Sequence, residues 1–186
     1  MKVSVIISVY NGADILSVTL PSLLNQDYPN NKIEIIIVDD ASTDDTSKLL
    51  DSIKQKESII VFSHTENRGR AATRNSGIKL ANGELLIFLD CDIEVNSDFI
   101  SRHVEYHKNE NVTGVVSHIC TRDTNSKDKY HQYIFWGKRG VSIIGEKKPI
   151  PFKYFILGCS SVKKEVINKT GFFNEILPTY GIDLEY

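Results

Sequence analysis

Polar side chains follow three of the apolar runs in this sequence, directly where each run ends. Tyr10-Asn11 follows the first run, Asp39-Asp40 the second, and Asp90-Cys91-Asp92 a later one. In an open α/β sheet, ligands bind at the carboxyl ends of the strands, so these are the residues expected to meet a ligand. Gathered carboxylates repel one another, and we therefore expect something cationic to hold them there.

The spacing of the later group favours a metal ion. Asp90 and Asp92 alternate around Cys91, which lets two acids approach one hard divalent cation if the strand turns there. The alternative is that Asp90 caps a turn and Asp92 faces water. Residues 9–14 contain neither G-x-G-x-x-G nor a Walker A lysine, so a bound diphosphate would need a metal and basic side chains such as Arg74.

The elements that must position these side chains alternate along the chain. Apolar runs of strand length occupy residues 3–9, 33–38, 59–62 and 85–89, and helical patterns occupy 15–25, 45–56, 69–81 and 98–109. The first, second and fourth runs are nearly continuously apolar, as in strands buried on both faces of a parallel sheet. The sequence predicts an α/β fold with a mostly parallel central sheet and helices on both faces. A further strand is expected over residues 115–120.

Local signals mark the ends of the predicted helices. Ser42, three residues before the second helical pattern, resembles a capping box with Asp in place of Glu, and Ser97 is a candidate N-cap for the fourth helix. Asn82-Gly83 is expected to end the third helix. Pro21 should kink the first helix or make it restart.

Composition narrows the class of protein. The chain has 186 residues, 41% of them hydrophobic and 25% charged, which fits one globular domain with a sizeable core. A formal net charge of -2 gives no bulk reason to bind a polyanion, so a nucleic-acid partner is disfavoured. Three widely spaced cysteines predict a reducing compartment. The run 3–9 is too short to cross a bilayer and lacks the pattern of a signal peptide.

Taken in order, these motifs resemble the inverting family 2 glycosyltransferases, which have the GT-A fold, a Rossmann-like arrangement. Residues 9–11 resemble the family's opening tripeptide, 38–44 its nucleoside motif, and 67–77 its N-x-G-x-x-x-A-R-N-x-G segment. Asp90-Cys91-Asp92 stands where the family carries its D-x-D metal motif. Gly158 and the residues after it resemble its acceptor-side strand, and residues 171–175 its G-G-F-D-E turn. The resemblance covers essentially the whole chain.

The resemblance implies roles for single residues. The side chains expected to bind the nucleotide, most often a uridine nucleotide, are Tyr10, Asn11, Asp39, Arg74 and Asp90. Asp92, together with Asp90, would hold Mn²⁺ or Mg²⁺ bridging the two phosphates. Asp183 would be the general base that deprotonates the acceptor hydroxyl. The Glu that precedes this Asp in the family is Ile182 here.

The resemblance also implies a reaction and its partners. The expected activity is inverting transfer of a hexosyl or N-acetylhexosaminyl group from a nucleotide-diphosphate donor, most often a UDP-sugar, to an unidentified hydroxyl. The acceptor would be a carbohydrate, lipid-linked molecule or protein in polysaccharide or glycoconjugate biosynthesis. We expect cytoplasmic residence, with peripheral association at the inner face of the membrane if the acceptor is lipid-linked.

The expected domain organisation is one GT-A domain over residues 1–186. Residues 1–112 would form its nucleotide-sugar-binding half and residues 113–186 its acceptor-side half. The chain stops at Tyr186, within what resembles the start of a helix, and we expect either a truncated chain or a short natural variant.

Three alternative functions and one alternative metal site stay open. A sugar nucleotidyltransferase would need a Gly-rich, Arg-containing loop after the first strand, and a dinucleotide-binding domain its glycine fingerprint. A non-catalytic nucleotide-sugar-binding relative would fit the Ile182 substitution. His103 and His107, four residues apart on a predicted helix, could bind zinc, but Lys108 and Glu110 favour a solvated face.

Overall fold

The computed structural model describes residues 1–56, 58–120, 127, 129, 148–151, 155 and 157–176. These residues form a six-stranded sheet with the order β3-β2-β1-β4-β6-β5. β1 to β4 are parallel, β6 is antiparallel to β4, and β5 is antiparallel to β6. The mostly parallel sheet that the sequence predicts is therefore confirmed. The strands are β1 (Val3–Val9), β2 (Ile33–Asp39), β3 (Ile59–Ser63), β4 (Leu85–Asp90), β5 (Gly114–Val116) and β6 (Cys159–Lys163).

Helices cover both faces of the sheet, because the apolar residues of its central strands point to both sides. On one face, buried residues of the first, second and fourth helices pack against the sheet. On the other face, the third and fifth helices and Phe173 do so. No helix within the described ranges has the length and apolar content needed to cross a membrane. The helices are α1 (Ala13–Leu24), α2 (Thr46–Ile53), α3 (Gly69–Leu80), α4 (Phe99–His107) and α5 (Lys164–Thr170).

The start of α2 differs from the predicted capping box. The helix begins at Thr46, and the carboxylate of Asp44 accepts the Thr46 amide at 2.9 Å. The Ser42 hydroxyl donates to Asp39 instead. The Asp44 carboxylate, two residues before Thr46, reaches the Thr46 amide directly, so Ser42 is not needed as a cap and bonds to Asp39 at the edge of the sheet.

The start of α4 also differs by one residue. Its N-cap residue is Asp98 rather than Ser97, with no hydrogen bond from the cap side chain. The Ile100 amide donates to Oε1 of Gln26 at 3.0 Å, so a residue beyond the end of α1 satisfies a free amide of the α4 N-terminus. No local pattern around residue 98 could reveal a partner that lies so far away along the chain.

α1 and β5 differ from their predicted extents: α1 continues through Pro21, and β5 is shorter than expected. α1 runs through Pro21 as one helix, so the predicted restart is wrong; Leu16, Leu20 and Leu23 anchor it to the sheet on both sides of the proline. The strand expected over 115–120 is shorter, because β5 is an edge strand and its register with β6 ends at Val116.

Candidate active site

The strand register brings the predicted polar groups to one edge of the sheet. β1 pairs with β2 so that Val9 lies opposite Asp39, and β1 pairs with β4 so that Ser8 lies opposite Asp90. All three strands are parallel and end at nearly the same level. The residues that follow them therefore face a common space, as the sequence predicts.

The loop after β1 is bound to the loop after β2. Asn11 has a positive φ of 51° and its side-chain oxygen accepts the Thr43 amide at 2.7 Å, while its own amide donates to the Ser42 hydroxyl at 2.9 Å. The Gly12 amide donates to the Thr46 hydroxyl at 3.0 Å. These bonds hold the neighbouring Tyr10, whose side chain is half exposed at the same edge. The side-chain oxygen of Asn11 therefore already has a partner within the protein. The role of Asn11 as a nucleotide ligand stays a prediction.

Asp39 is buried at the bottom of this edge with one carboxylate oxygen engaged. Oδ1 accepts both the Ser42 amide at 3.1 Å and the Ser42 hydroxyl at 2.5 Å. Oδ2 accepts no hydrogen bond from the described part of the chain. Oδ2 is not one of the fully buried side-chain atoms that lack a partner in the described chain, so it is open to a donor from outside the protein. This geometry suits the predicted contact with a nucleoside N–H or O–H.

Asp40, the next residue, has a different role from the one its sequence position suggested. Its carboxylate accepts the amides of Arg68 at 2.9 Å and Gly69 at 2.8 Å, where α3 begins. It also bonds to Nδ1 of His64 at 2.7 Å, and Nε2 of that ring bonds to Ser76 at 2.9 Å. Asp40 is thus used in holding the N-terminus of α3, where a negative charge is favoured by the helix dipole. The sequence-based expectation that a cation holds all four acids at this edge is wrong for Asp40.

Arg74 reaches from α3 to the end of β4. Its guanidinium lies 3.4 Å from Oδ1 of Asp90, and its side chain is almost fully buried, whereas the Asp90 side chain is 47% exposed. α3 can lie close to the sheet because Gly77 has no side chain. A Cβ at this position would stand only 2.4 Å from the Ile6 side chain. The packing of the helix thereby sets the position of Arg74 beside Asp90.

Gly158, directly before β6, leaves the space that the Asp90 carboxylate occupies. A Cβ at position 158 would lie 2.6 Å from Oδ2 of Asp90, and the Gly158 carbonyl accepts the Asp90 amide at 2.8 Å. The sequence marks Gly158 only as part of the strand on the acceptor side. Its contact with Asp90 has no local signal, because the two residues meet through the antiparallel pairing of β4 and β6.

The last residue of β4 and the turn after it suit a hard divalent ion. Asp92 is exposed and Asp90 half exposed, so both carboxylates are accessible. Burial raises the pKa of the Cys91 thiol to about 11, with the charges of Asp92 and Asp90 adding to the effect. The described residues contain no group of three or more acidic, His or Cys side chains able to hold an ion. Two carboxylates with substrate phosphates and water are the arrangement that Mg²⁺ commonly uses, and the residues present fit it.

Asp183, predicted as the general base, lies outside the described residues, as does Ile182. Arg74, Asp90 and Asp39, by contrast, are brought to one edge. The assignment of Asp183 therefore stays a prediction.

His103 and His107 do not lie on a solvated face, and this expectation is wrong. Both rings are buried where α4 packs against β5 and β6. His103 bonds through Nδ1 to Ser161 at 2.7 Å and through Nε2 to Ser117 at 2.9 Å, and His107 bonds through Nε2 to Ser161 at 2.9 Å. Serine hydroxyls thus occupy both ring nitrogens of His103 and Nε2 of His107, and only Nδ1 of His107 has no hydrogen-bond partner among the described residues.

Two characterised relatives match part of this chain in sequence. A poly(ribitol-phosphate) beta-glucosyltransferase of Bacillus spizizenii is 42% identical over 110 residues, which are 58% of this chain and 17% of that protein. A UDP-Glc:alpha-D-GlcNAc-diphosphoundecaprenol beta-1,3-glucosyltransferase of Escherichia coli, WfaP, is 40% identical over 110 residues, 59% of this chain and 43% of that protein. The chain thus matches less than half the length of either relative.

Two solved structures have the same fold. TarS of Staphylococcus aureus superposes with a TM-score of 0.78 at 23% identity, over 99% of this chain and 53% of that one. The mannosyltransferase PcManGT of Pyrobaculum calidifontis, in complex with GDP-Man and Mn²⁺, superposes with a TM-score of 0.72 at 24% identity. The match covers 95% of this chain and 48% of that one. The fold is therefore GT-A, as expected. The family model for glycosyl transferase family 2 matches residues 4–171, and this chain belongs to that family.

Proposed function

We propose that this chain is the catalytic domain of an inverting glycosyltransferase that moves a sugar from a nucleotide-diphosphate donor to a hydroxyl acceptor. The observation that carries the proposal is the contact of Arg74 with Asp90 at the carboxyl edge of the sheet, the same edge at which the buried Asp39 lies. Residues 1–112 would bind the donor, and residues 113–186 would form the acceptor side. The wider role is polysaccharide or glycoconjugate biosynthesis.

The nucleoside would lie between the ends of β1 and β2. Oδ2 of Asp39 would accept a hydrogen bond from the base or ribose, and the exposed ring of Tyr10 offers an apolar face beside it. Arg74 supplies a guanidinium that both orients Asp90 and lowers the cost of gathering negative charge. This placement accounts for a site without a glycine-rich phosphate loop.

Asp90 and Asp92 would hold Mn²⁺ or Mg²⁺ against the donor diphosphate. The bound ion would offset the negative charge that develops on the leaving nucleoside diphosphate. The Cys91 side chain packs against the hydrophobic core, which leaves the two carboxylates as the donor atoms at this turn. Gly158 keeps the space beside Asp90 open for that purpose.

The transfer itself would be a single displacement. The acceptor oxygen forms a bond to the anomeric carbon while the bond from that carbon to the diphosphate oxygen breaks, and Asp183 takes the hydroxyl proton. Attack on the face opposite the leaving group inverts the anomeric configuration. Arg74 and Asp90 keep the donor in place during this step, and Asp183 acts on the acceptor.

The relatives favour a UDP-sugar as donor and a membrane-linked or polymeric acceptor. WfaP is named for UDP-Glc and a diphosphoundecaprenol-linked sugar, and TarS has been solved with UDP and with UDP-GlcNAc. We therefore propose a glucosyl or N-acetylglucosaminyl donor. A lipid-linked acceptor would place the protein at the inner face of the membrane as a peripheral partner.

Calorimetric titration with a panel of UDP-, GDP- and dTDP-sugars, in Mn²⁺ and in EDTA, tests the donor site. UDP-sugars should bind in Mn²⁺ and bind at least tenfold more weakly in EDTA, a difference of about 1.4 kcal/mol. Asp92→Ala should lose the Mn²⁺ dependence, whereas the exposed Asp51→Ala on α2 should keep it. Equal affinity of the unmodified protein in Mn²⁺ and EDTA would contradict the metal site.

The Ile182 substitution keeps one second candidate, a non-catalytic nucleotide-sugar-binding relative. Such a protein would pass the binding test and release no UDP from the donor. Measuring UDP release by the full-length protein, with and without acceptor glycans, separates the two functions.

A further inference from the structure

Asn75 on α3 joins this helix to a segment far along the chain. Its side-chain oxygen accepts the Phe173 amide at 2.9 Å, and its side-chain nitrogen donates to the Phe173 carbonyl, also at 2.9 Å. The same nitrogen donates to Oε1 of Glu175 at 2.9 Å. Asn75 is buried, and it meets the backbone of Phe173 as a neighbouring strand would.

Residues 171–176, which we name the clamp segment, are held at further points. The Phe173 ring is buried and packs edge-to-face on Phe88 of β4, with ring centroids 5.7 Å apart. The other oxygen of Glu175 lies 3.0 Å from the guanidinium of Arg68, at the start of α3. The clamp segment is therefore fixed to α3 and β4, the two elements that carry Arg74 and Asp90.

Adjacent positions of α3 serve opposite sides of the proposed site. Arg74 faces Asp90 at the nucleotide edge, whereas Asn75, about 100° further around the helix, faces the clamp segment. One helix thus joins the proposed donor side to the clamp segment.

We propose that Asn75 is a positioning residue for the transfer reaction: through Phe173 and Glu175 it holds the clamp segment, which belongs to the proposed acceptor side, against the helix and strand that carry Arg74 and Asp90. This inference rests on the proposed transferase function. Asn75 contacts neither donor nor acceptor in this scheme. It fixes the geometry of transfer and not the affinity for the nucleotide.

The test is Asn75→Asp in the full-length protein. The variant keeps the oxygen that accepts the Phe173 amide, but its second oxygen would face the Phe173 carbonyl and the Glu175 carboxylate and repel both. We expect kcat to fall by about 10²-fold, the scale of a displacement of about 1 Å at the reacting groups. The dissociation constant for UDP in Mn²⁺ should stay within about twofold, since the nucleotide side is unchanged. Hydrogen exchange of the Phe173 amide should become faster.

Two further variants keep the test decisive. Asn111→Asp adds the same charge at an exposed position before β5 and should change none of the three measurements. Glu175→Gln, at a partly exposed site, keeps an oxygen for Asn75 and removes only the ion pair with Arg68. It should fold if Asn75→Asp does not, and it should lower kcat less than tenfold with unchanged UDP affinity.

The outcomes separate the two ideas. Unchanged kcat with faster exchange in Asn75→Asp would overturn the positioning role, as would unchanged exchange or an equal loss of UDP affinity and kcat. If Asn75→Asp does not fold, unchanged kcat in Glu175→Gln overturns it instead. Failure of the unmodified protein to bind any nucleotide-sugar would overturn the proposed function, whatever the exchange experiment gives.

Discussion

The backbone of Gly158 lies directly against the carboxylate of Asp90. The Asp90 amide donates to the Gly158 carbonyl at 2.8 Å, and a Cβ at position 158 would stand 2.6 Å from Oδ2 of Asp90. A methyl group there would meet the mobile end of a half-exposed side chain and not a backbone atom. The clash would be relieved by rotating Asp90, so the cost would fall on the site and not on the fold.

Gly158→Ala should therefore weaken Mn²⁺-dependent UDP binding by about tenfold or more, equivalent to about 1.4 kcal/mol, with little change in melting temperature. Calorimetry and thermal unfolding measure the two effects. Gly83→Ala is the matched control, because its Cβ would lie 2.5 Å from the backbone nitrogen of Ser4, far from the site. That variant should lose stability while its folded fraction binds UDP normally; the same loss of binding in both variants would argue against the contact.

Asp39 and Asp40 are neighbours with different roles, and replacing each by Asn should separate them. Asp39→Asn removes a charged acceptor from the nucleoside site and should weaken UDP binding about 10- to 100-fold, since a hydrogen bond to a charged group contributes about 1.5–3 kcal/mol. Asp40→Asn would direct an NH₂ group at the amides that begin α3 or at His64. It should lower the free energy of unfolding by about 1–3 kcal/mol. Chemical denaturation and calorimetry on both variants check the assignment, which a reversed pattern would contradict.

Asp183→Asn should separate binding from chemistry. A positioned general base contributes about 10²- to 10⁴-fold, so kcat should fall by that order while donor affinity stays nearly unchanged. Asn keeps the shape of Asp but cannot take up the proton. Steady-state kinetics and UDP titration in the full-length protein measure both quantities. If kcat of Asp183→Asn equals that of the unmodified protein, the general base is another residue. Glu185, also outside the described residues, is then the next candidate.

Stability should fall with acid over the range set by His103. Burial lowers the pKa of His103 from 6.5 to about 4, and the neighbouring His107 adds to this, so the folded state binds the proton more weakly than the unfolded state. The stability that the neutral His103 contributes is fully present above about pH 6.5. It is lost progressively as the pH drops from about 6.5 to about 4. Between pH 7 and 4.5 it amounts to roughly 2 kcal/mol, taking about 1.4 kcal/mol per pKa unit.

Urea denaturation of His103→Gln at pH 7 and pH 4.5 tests this dependence. The variant should lose less stability between the two values than the unmodified protein. His118→Gln, at an exposed position after β5, is the control and should behave like the unmodified protein. An unaltered pH dependence in His103→Gln would assign the acid sensitivity to another group, such as His107, whose pKa burial also lowers. Glu34 is not such a group: burial raises its pKa, but the hydrogen bonds from Ser4, Asn82 and Lys2 outweigh this and lower the pKa overall, so its contribution is lost only under more acidic conditions.

The order of the first four strands and the first four helices could be read from the sequence, because each of those strands is a mostly apolar run. The first four strands lie within one residue of their predicted ends. The convergence of Asp39 and Asp90 also follows from the sequence, since parallel strands end at a common edge. Periodicity and the position of polar residues after apolar runs are local properties, and a single sequence contains them.

Only the tertiary structure decided which polar residue serves the ligand and which serves the fold. Asp39 and Asp40 are identical in type and adjacent, and what separates them is that Asp40 meets the start of α3 while one oxygen of Asp39 stays free of the described chain. The Asn75 contact with Phe173 spans 98 positions, and the Gly158 contact with Asp90 depends on a strand that runs against its neighbour. Such pairings arise from packing between distant segments, and no property of either residue's own neighbourhood determines them.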